Sequence, residues 1–148
     1  MTPAVYEFVK GLGLAGMTLD VGSMNINGDV RPLFPLYCGL DMRPGPNVDV
    51  VGMANAIPFD DAAFSNVLCL EMLEHDPDPF GSLREMRRVL KSGGALVITT
   101  PGIGFPRHDY PCDYWRFTGD GVRVLMAGMN EINIKEDGDH VYAIARNK

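Results

Sequence analysis

The stretch MTLDVGSMNINGDVR, residues 17–31, decides how the chain is read. Its first five residues are β-rich and run into Gly22 and Ser23, with Gly28 a little further on. A short apolar run closed by glycine reads as a strand entering a turn. Glycine at the carboxyl end of a first strand lets a ligand approach the backbone closely. Open α/β sheets bind ligands at that edge, where the strand order reverses. Asp41 ends the next β-rich run, LYCGLD, 21 residues after Asp20. A carboxylate there can accept the hydrogens of both ribose hydroxyls. The competing reading is a turn-forming Asp ahead of Met42-Arg43-Pro44-Gly45.

Working outward, VDVV (residues 48–51), VLCL (67–70) and ALVITT (95–100) repeat the pattern. Runs that are apolar almost throughout suit strands covered on both faces of a parallel sheet. Helical signals lie between them. Thr2-Pro3 and Asp78-Pro79 each place a capping residue before a proline at the first helical position. The first leads into Val5, Phe8, Val9 and Leu12. The second leads into Leu83, Met86, Val89 and Leu90, with Gly93-Gly94 expected to end that helix. Thr118 is a third cap, leading through Val122, Leu125, Met126 and Met129. Asp137-Gly138 then signals a hairpin between an alternating segment at Ile132 and Ile134 and a strand over residues 141–145. Strands alternating with helices and closing on a hairpin imply an α/β sheet whose last strand is antiparallel.

The 148 residues carry 13 Lys and Arg against 19 Asp and Glu, a formal net charge of −6. Hydrophobic residues make up 46%, too many for a disordered chain. At this length one domain spanning residues 1–148 is expected, with about two-thirds of the unfolded surface buried. No run of about 20 apolar residues spans a membrane. Cys38, Cys69 and Cys112 are odd in number and widely spaced, which suits a reduced, cytoplasmic protein. The first 16 residues hold Lys10 as their only base, unlike a secretory signal. The acidic balance disfavours nucleic acid as a partner.

Two features depart from a nucleotide-binding pattern. Gly11, Gly13 and Gly16 match G-x-G-x-x-G, but they precede the first strand, and a pyrophosphate-binding loop must follow it. They read as a helix end and a turn, which disfavours an NAD-binding domain. The connection SMNINGDVRPLFP, residues 23–35, is 13 residues long with two prolines. It has room for one turn of helix where a parallel crossover usually carries a full one.

Four segments in order resemble class I S-adenosylmethionine-dependent methyltransferases, above all the methyltransferase type 11 group. They are DVGSMNINGDVR, YCGLDMRPGP, ANAIPFDDAAFSNVLCLEMLEH and LREMRRVLKSGGALVITTP. The resemblance implies a Rossmann-like, seven-stranded sheet and methyl transfer from S-adenosylmethionine to a small-molecule acceptor. It implies that Asp20, Gly22 and Ser23 line the methionine part of the cofactor. Asp41 would hold the ribose and Met42 pack on adenine. Ala54, Asn55 and Ile57 would run along the adenine edge, and Leu70 and Glu71 would face the methionine and the acceptor. Acidic strand ends suit a sulfonium and an ammonium group. The chain departs from the family in lacking closely spaced glycines after Gly22, in the short crossover, and in Met53 where an acidic residue is common. Those departures motivate the alternative of a non-catalytic partner subunit with the same fold.

The segment RHDYPCDYWRFT, residues 107–118, follows the fifth strand at the edge where an acceptor should bind. Tyr110, Tyr114, Trp115 and Arg116 are candidate substrate contacts; burial of the aromatic rings as a core plug is the alternative. His108, Asp109 and His75 are the candidate general bases. Glu74, beside His75, reads as structural. His108, Cys112 and Asp113 are of metal-ligand type but lack a standard spacing, so no metal site is expected. Arg84, Arg87, Arg88 and Lys91 read as a solvated helix face. A small domain with an open cleft leaves room for closure by a second subunit in a homo-oligomer.

Overall fold

A computed structural model describes residues 2–26, 28–109 and 112–148. Helix α1 (Pro3–Gly11) leads to strands β1 (Thr18–Val21), β2 (Tyr37–Asp41), β3 (Val50–Val51) and β4 (Phe64–Leu70). Helix α2 (Pro79–Val89), β5 (Leu90–Pro101), α3 (Gly119–Leu125), β6 (Asn130–Glu136) and β7 (His140–Arg146) follow. The strands form one sheet in the order β3-β2-β1-β4-β5-β7-β6. β1 to β5 pair in parallel, and β7 runs antiparallel to both β5 and β6. This is the mostly parallel, Rossmann-like sheet with a reversed C-terminal hairpin that the sequence implies. β1 pairs with β2 on one side and β4 on the other, so the strand order reverses there, and the carboxyl ends beside such a reversal are where open α/β sheets bind ligands.

The three helix caps form as the residue types dictate. Thr2 Oγ1 accepts from the Val5 N–H at 3.4 Å, Asp78 Oδ1 from Gly81 N–H at 3.0 Å, and Thr118 Oγ1 from Gly121 N–H at 3.1 Å. α2 sets Leu83, Met86 and Val89 against one face of the sheet, all buried. Burying such a side chain contributes about 1.5–3 kcal/mol. The helix ends at Val89, short of Gly93. Leu90 is already extended and pairs with Phe64, because sheet pairing there displaces the last turn. Gly93, with φ 73°, instead makes the irregular start of β5. α3 likewise stops at Leu125, and Gly128 at φ 85° turns the chain into β6.

Among its described residues, the connection from β1 to β2 holds one three-residue 3-10 turn, Arg31–Leu33. The other face of the sheet is covered by α1 from before the first strand. Val9 packs there with Val30, Phe34, Leu68 and Val97. Gly11 ends α1, and Gly13 (φ 57°) and Gly16 (φ 96°) turn the chain into β1. The glycine motif is thus a helix end at the amino side of the strands, away from the cleft. Among the described residues no helix is long and apolar enough to cross a membrane. Two of the α2 arginines are tied down. Arg88 bonds Glu85, Asp61 and two backbone carbonyls, and Arg87 bonds the Ala127 carbonyl.

Candidate active site at the carboxyl edge of the sheet

On the β1–β2 side the polar groups are knitted together. Asp20 is 5% exposed and accepts from the Tyr37 hydroxyl at 2.6 Å. Burial pushes its carboxyl up to about 6, against the opposing pull of the Tyr37 hydrogen bond. Asn47 Nδ2 donates to Tyr37 Oη and to Asp29 Oδ1, both at 3.0 Å. Arg31 reaches Asn47 Oδ1 and Asp49 Oδ2, each at 2.6 Å. The Gly39 N–H bonds the Asp49 carboxylate and, ahead of the Arg31 contact, holds it below its usual range. Ser23 Oγ donates to the Asn47 carbonyl at 3.1 Å. The fit above Gly39 is so close that a Cβ there would lie 2.0 Å from that carbonyl oxygen. Tyr37, Asn47, Arg31 and Asp49 are not singled out by sequence patterns, since they meet only across the crossover.

Asp41 stands at the end of β2 as expected. Its carboxylate accepts from Met24 N–H at 3.2 Å and Arg43 N–H at 3.1 Å. The turn chemistry thus forms at the strand end where a ribose-binding carboxylate is expected. Gly22 has φ 83°, which favours glycine. The close approach at Gly22 differs from expectation. A Cβ there would fall 2.4 Å from Met72 Cγ, so a side chain of the protein fills the space assigned to a ligand.

Along the expected adenine edge, Met42 and Met53 are 57% and 49% exposed. Ala54 is half-buried against the core. Asn55 Nδ2 donates to Asp78 Oδ2 at 3.3 Å. The Ile57 side chain is buried in the core, and its N–H donates to Glu85 Oε2 at 3.0 Å.

The β4–β5 side is built differently. Leu70 ends β4, and Glu71 follows in the left-handed region at φ 54°. Such a conformation in a non-glycine residue costs energy and concentrates at functional sites. Glu71 Oε2 lies 3.2 Å from His140 Nε2, which β7 brings opposite Pro101. Glu74 and His75 sit in the 3-10 turn Leu73–His75. Glu74 is fully buried; burial, and then the Glu71 charge, raise its carboxyl to about 8. Thr100 Oγ1 donates to its Oε2 at 3.4 Å, and its Oε1 has no hydrogen-bond partner. His75 Nδ1 is 2.5 Å from the Cys112 carbonyl oxygen. The rings of His75 and His108 meet edge to face with centroids 4.9 Å apart.

The described residues 102–109 and 112–118 continue this side. Asp113 Oδ2 accepts the His108 N–H at 2.7 Å, and Arg116 clasps both carboxylate oxygens. That clasp holds the Asp113 carboxyl well below its usual range. Trp115 is 42% exposed and its Nε1 donates to the Asp76 carbonyl at 2.7 Å, so it is no core plug. Tyr114 is also exposed, tied by its N–H to the Glu74 carbonyl. Asp109 pairs with Arg107 at the surface. Tyr110 lies outside the described residues. Sequence patterns missed His140, because only the hairpin brings it here. They also passed over Glu74 as structural. The motif LEMLEH signals the turn but not which carboxyl enters the site.

The acidic strand ends lie at the switch point of a doubly wound α/β sheet. Residues 39–98 match the family model described as a methyltransferase domain. The chain as a whole has the class I methyltransferase fold, as the solved structures show. A S-adenosylmethionine-dependent methyltransferase from Thermotoga maritima superposes with a TM-score of 0.80 at 20% identity, over 97% of this chain and 88% of that one. The 1,6-didemethyltoxoflavin-N1-methyltransferase of Burkholderia thailandensis gives 0.75 at 17% identity, over 99% and 77%. In sequence, a ubiquinone biosynthesis O-methyltransferase of Paracidovorax citrulli is 33% identical over 91 residues, which are 62% of this chain and 35% of that protein. The chain thus spans about a third of that relative's length.

Proposed function

We propose that the protein transfers a methyl group from S-adenosylmethionine to a small-molecule acceptor. The observation that carries this reading is the convergence of carboxylates at the ends of β1, β2 and β4 beside exposed apolar side chains. Asp20, Asp41 and Glu71 suit a cofactor with a sulfonium and an ammonium group. The buried, unpartnered Glu71 Oε1 is an acceptor awaiting a donor. Exposed Met42 and Met53 suit a purine face. When bound, the cofactor supplies an activated methyl group on sulfur.

The protein's work is then placement and exclusion of water. Asp41 would accept the ribose hydroxyls. Trp115 and Tyr114 would form the outer wall on the acceptor side. His108 and His75 stand on that side, where they could take the proton an acceptor hydroxyl or amine releases. Asp109 is left out of this role, since Arg107 holds it at the surface.

A second reading, a non-catalytic partner subunit, is favoured by Met72 over Gly22 and by the two backbone bonds already made by Asp41. Calorimetric titration with S-adenosylhomocysteine separates the two. Micromolar binding that weakens in Asp41→Ala supports the enzyme. Absence of binding to the folded protein at millimolar ligand overturns it.

A further inference from the structure

We propose that Glu74, His75 and His108 bind one divalent first-row transition-metal ion through Glu74 Oε1 and the Nε2 atoms of the two histidines. A ligand atom from each residue lies within 4.8 Å of the other two. Glu74 Oε1 stands 3.6 Å from His75 Nε2 and 3.7 Å from His108 Nε2. Ligand atoms about 2.0–2.1 Å from a tetrahedral ion are roughly 3.3–3.4 Å apart. Both measured edges therefore need to close by only a few tenths of an ångström.

Glu74 supplies the independent sign of a ligand. Its side chain is wholly buried, yet Oε1 has no hydrogen-bond partner and is directed at the two imidazoles. A buried carboxylate oxygen without a partner is costly, and a cation between it and the rings would satisfy it. The surrounding bonds also set the imidazoles for coordination. The Cys112 carbonyl takes the His75 Nδ1 hydrogen, so the Nε2 lone pair is free. The second nitrogen of a metal-bound histidine is ordinarily held in this way. His108 Nδ1 lies 3.6 Å from Asp113 Oδ2, and Arg116 fixes that carboxylate. His108 thus has a carboxylate behind its ring as well.

Two imidazoles and one carboxylate select zinc, iron, cobalt or manganese over magnesium and calcium, which take oxygen ligands. Three protein ligands leave at least one coordination position open. If the methyltransferase reading holds, it would take an oxygen or nitrogen donor of the acceptor; metal binding itself does not depend on that reading.

The test is titration of the metal-free protein with Co2+, followed by visible absorption and calorimetry. One Co2+ per chain is expected. His108→Ala and Glu74→Gln should each weaken binding about tenfold or more, while Cys112→Ser leaves it unchanged. S-adenosylhomocysteine titration of the same samples reports folding and the cofactor site separately. Absence of stoichiometric binding, or binding that survives His108→Ala or vanishes in Cys112→Ser, overturns the metal site. Loss of S-adenosylhomocysteine binding with Co2+ binding intact would instead count against the methyltransferase reading.

Discussion

The two halves of the carboxyl edge are built on opposite plans. On the β1–β2 side, Ser23, Asp29, Arg31, Tyr37, Asn47 and Asp49 satisfy one another in a continuous network. On the β4–β5 side, Glu71 Oε1, Glu74 Oε1, Asp76 Oδ2 and His108 Nδ1 are buried without hydrogen-bond partners. Closed networks hold a backbone in place; open valences are kept where something else must bind. On the proposed reading, the first half would scaffold a cofactor of fixed shape and the second would hold the chemistry.

The largest effect should come from breaking the closed half. Gly39→Val drives a side chain into the Asn47 carbonyl and Ser23 Oγ. A loss of about 3 kcal/mol or more is expected in urea denaturation, from overpacking against backbone. A variant of unchanged stability would show that the network is not rigid.

Next comes the pH dependence of Asp20. Its folded carboxyl lies near 6, raised chiefly by burial from 3.8. The folded state therefore holds the proton more tightly than the unfolded chain. This contribution is fully present below about pH 4 and is lost as pH rises through 6. Its size is up to about 2–3 kcal/mol. Asp20→Asn should flatten that part of the stability profile, measured by denaturation at pH 4 to 7. An unchanged profile would remove Asp20 as its source.

Gly22→Val should cost about 2 kcal/mol, from the positive φ and the clash with Met72. Met72→Ala in the same chain should return part of that loss but not the part due to backbone strain. A double-mutant cycle measures the split, and strict additivity would mean that the two residues do not meet.

Asp41→Ala should weaken S-adenosylhomocysteine binding about tenfold, or 1.4 kcal/mol, with the fold retained. Equal affinities by calorimetry would confine Asp41 to its two backbone bonds. The smallest signal is optical. Trp115 is the single tryptophan and is 42% exposed. Acrylamide should quench it in the free protein, and its emission should shift when S-adenosylhomocysteine or an acceptor binds. A ligand-insensitive signal would place Trp115 outside the acceptor wall.

The sequence by itself determined the order of strands and helices, because each element carries its own signal. Apolar runs mark β1, β2, β4 and β5, and Thr2, Asp78 and Thr118 announce their helices one residue ahead. Asp137-Gly138 gives the hairpin, and Asp20 and Asp41 were legible as strand ends. These are local preferences, written within a few residues of chain. Tertiary structure alone decided where α2 stops, since Leu90 pairs with Phe64 from a distant strand. It alone buried Ile57, filled the space over Gly22 with Met72, and gathered Glu74, His75, His108 and His140 at one edge. Those contacts join residues tens of positions apart. Their geometry depends on sheet register and on how a loop folds back, which no short window of sequence encodes.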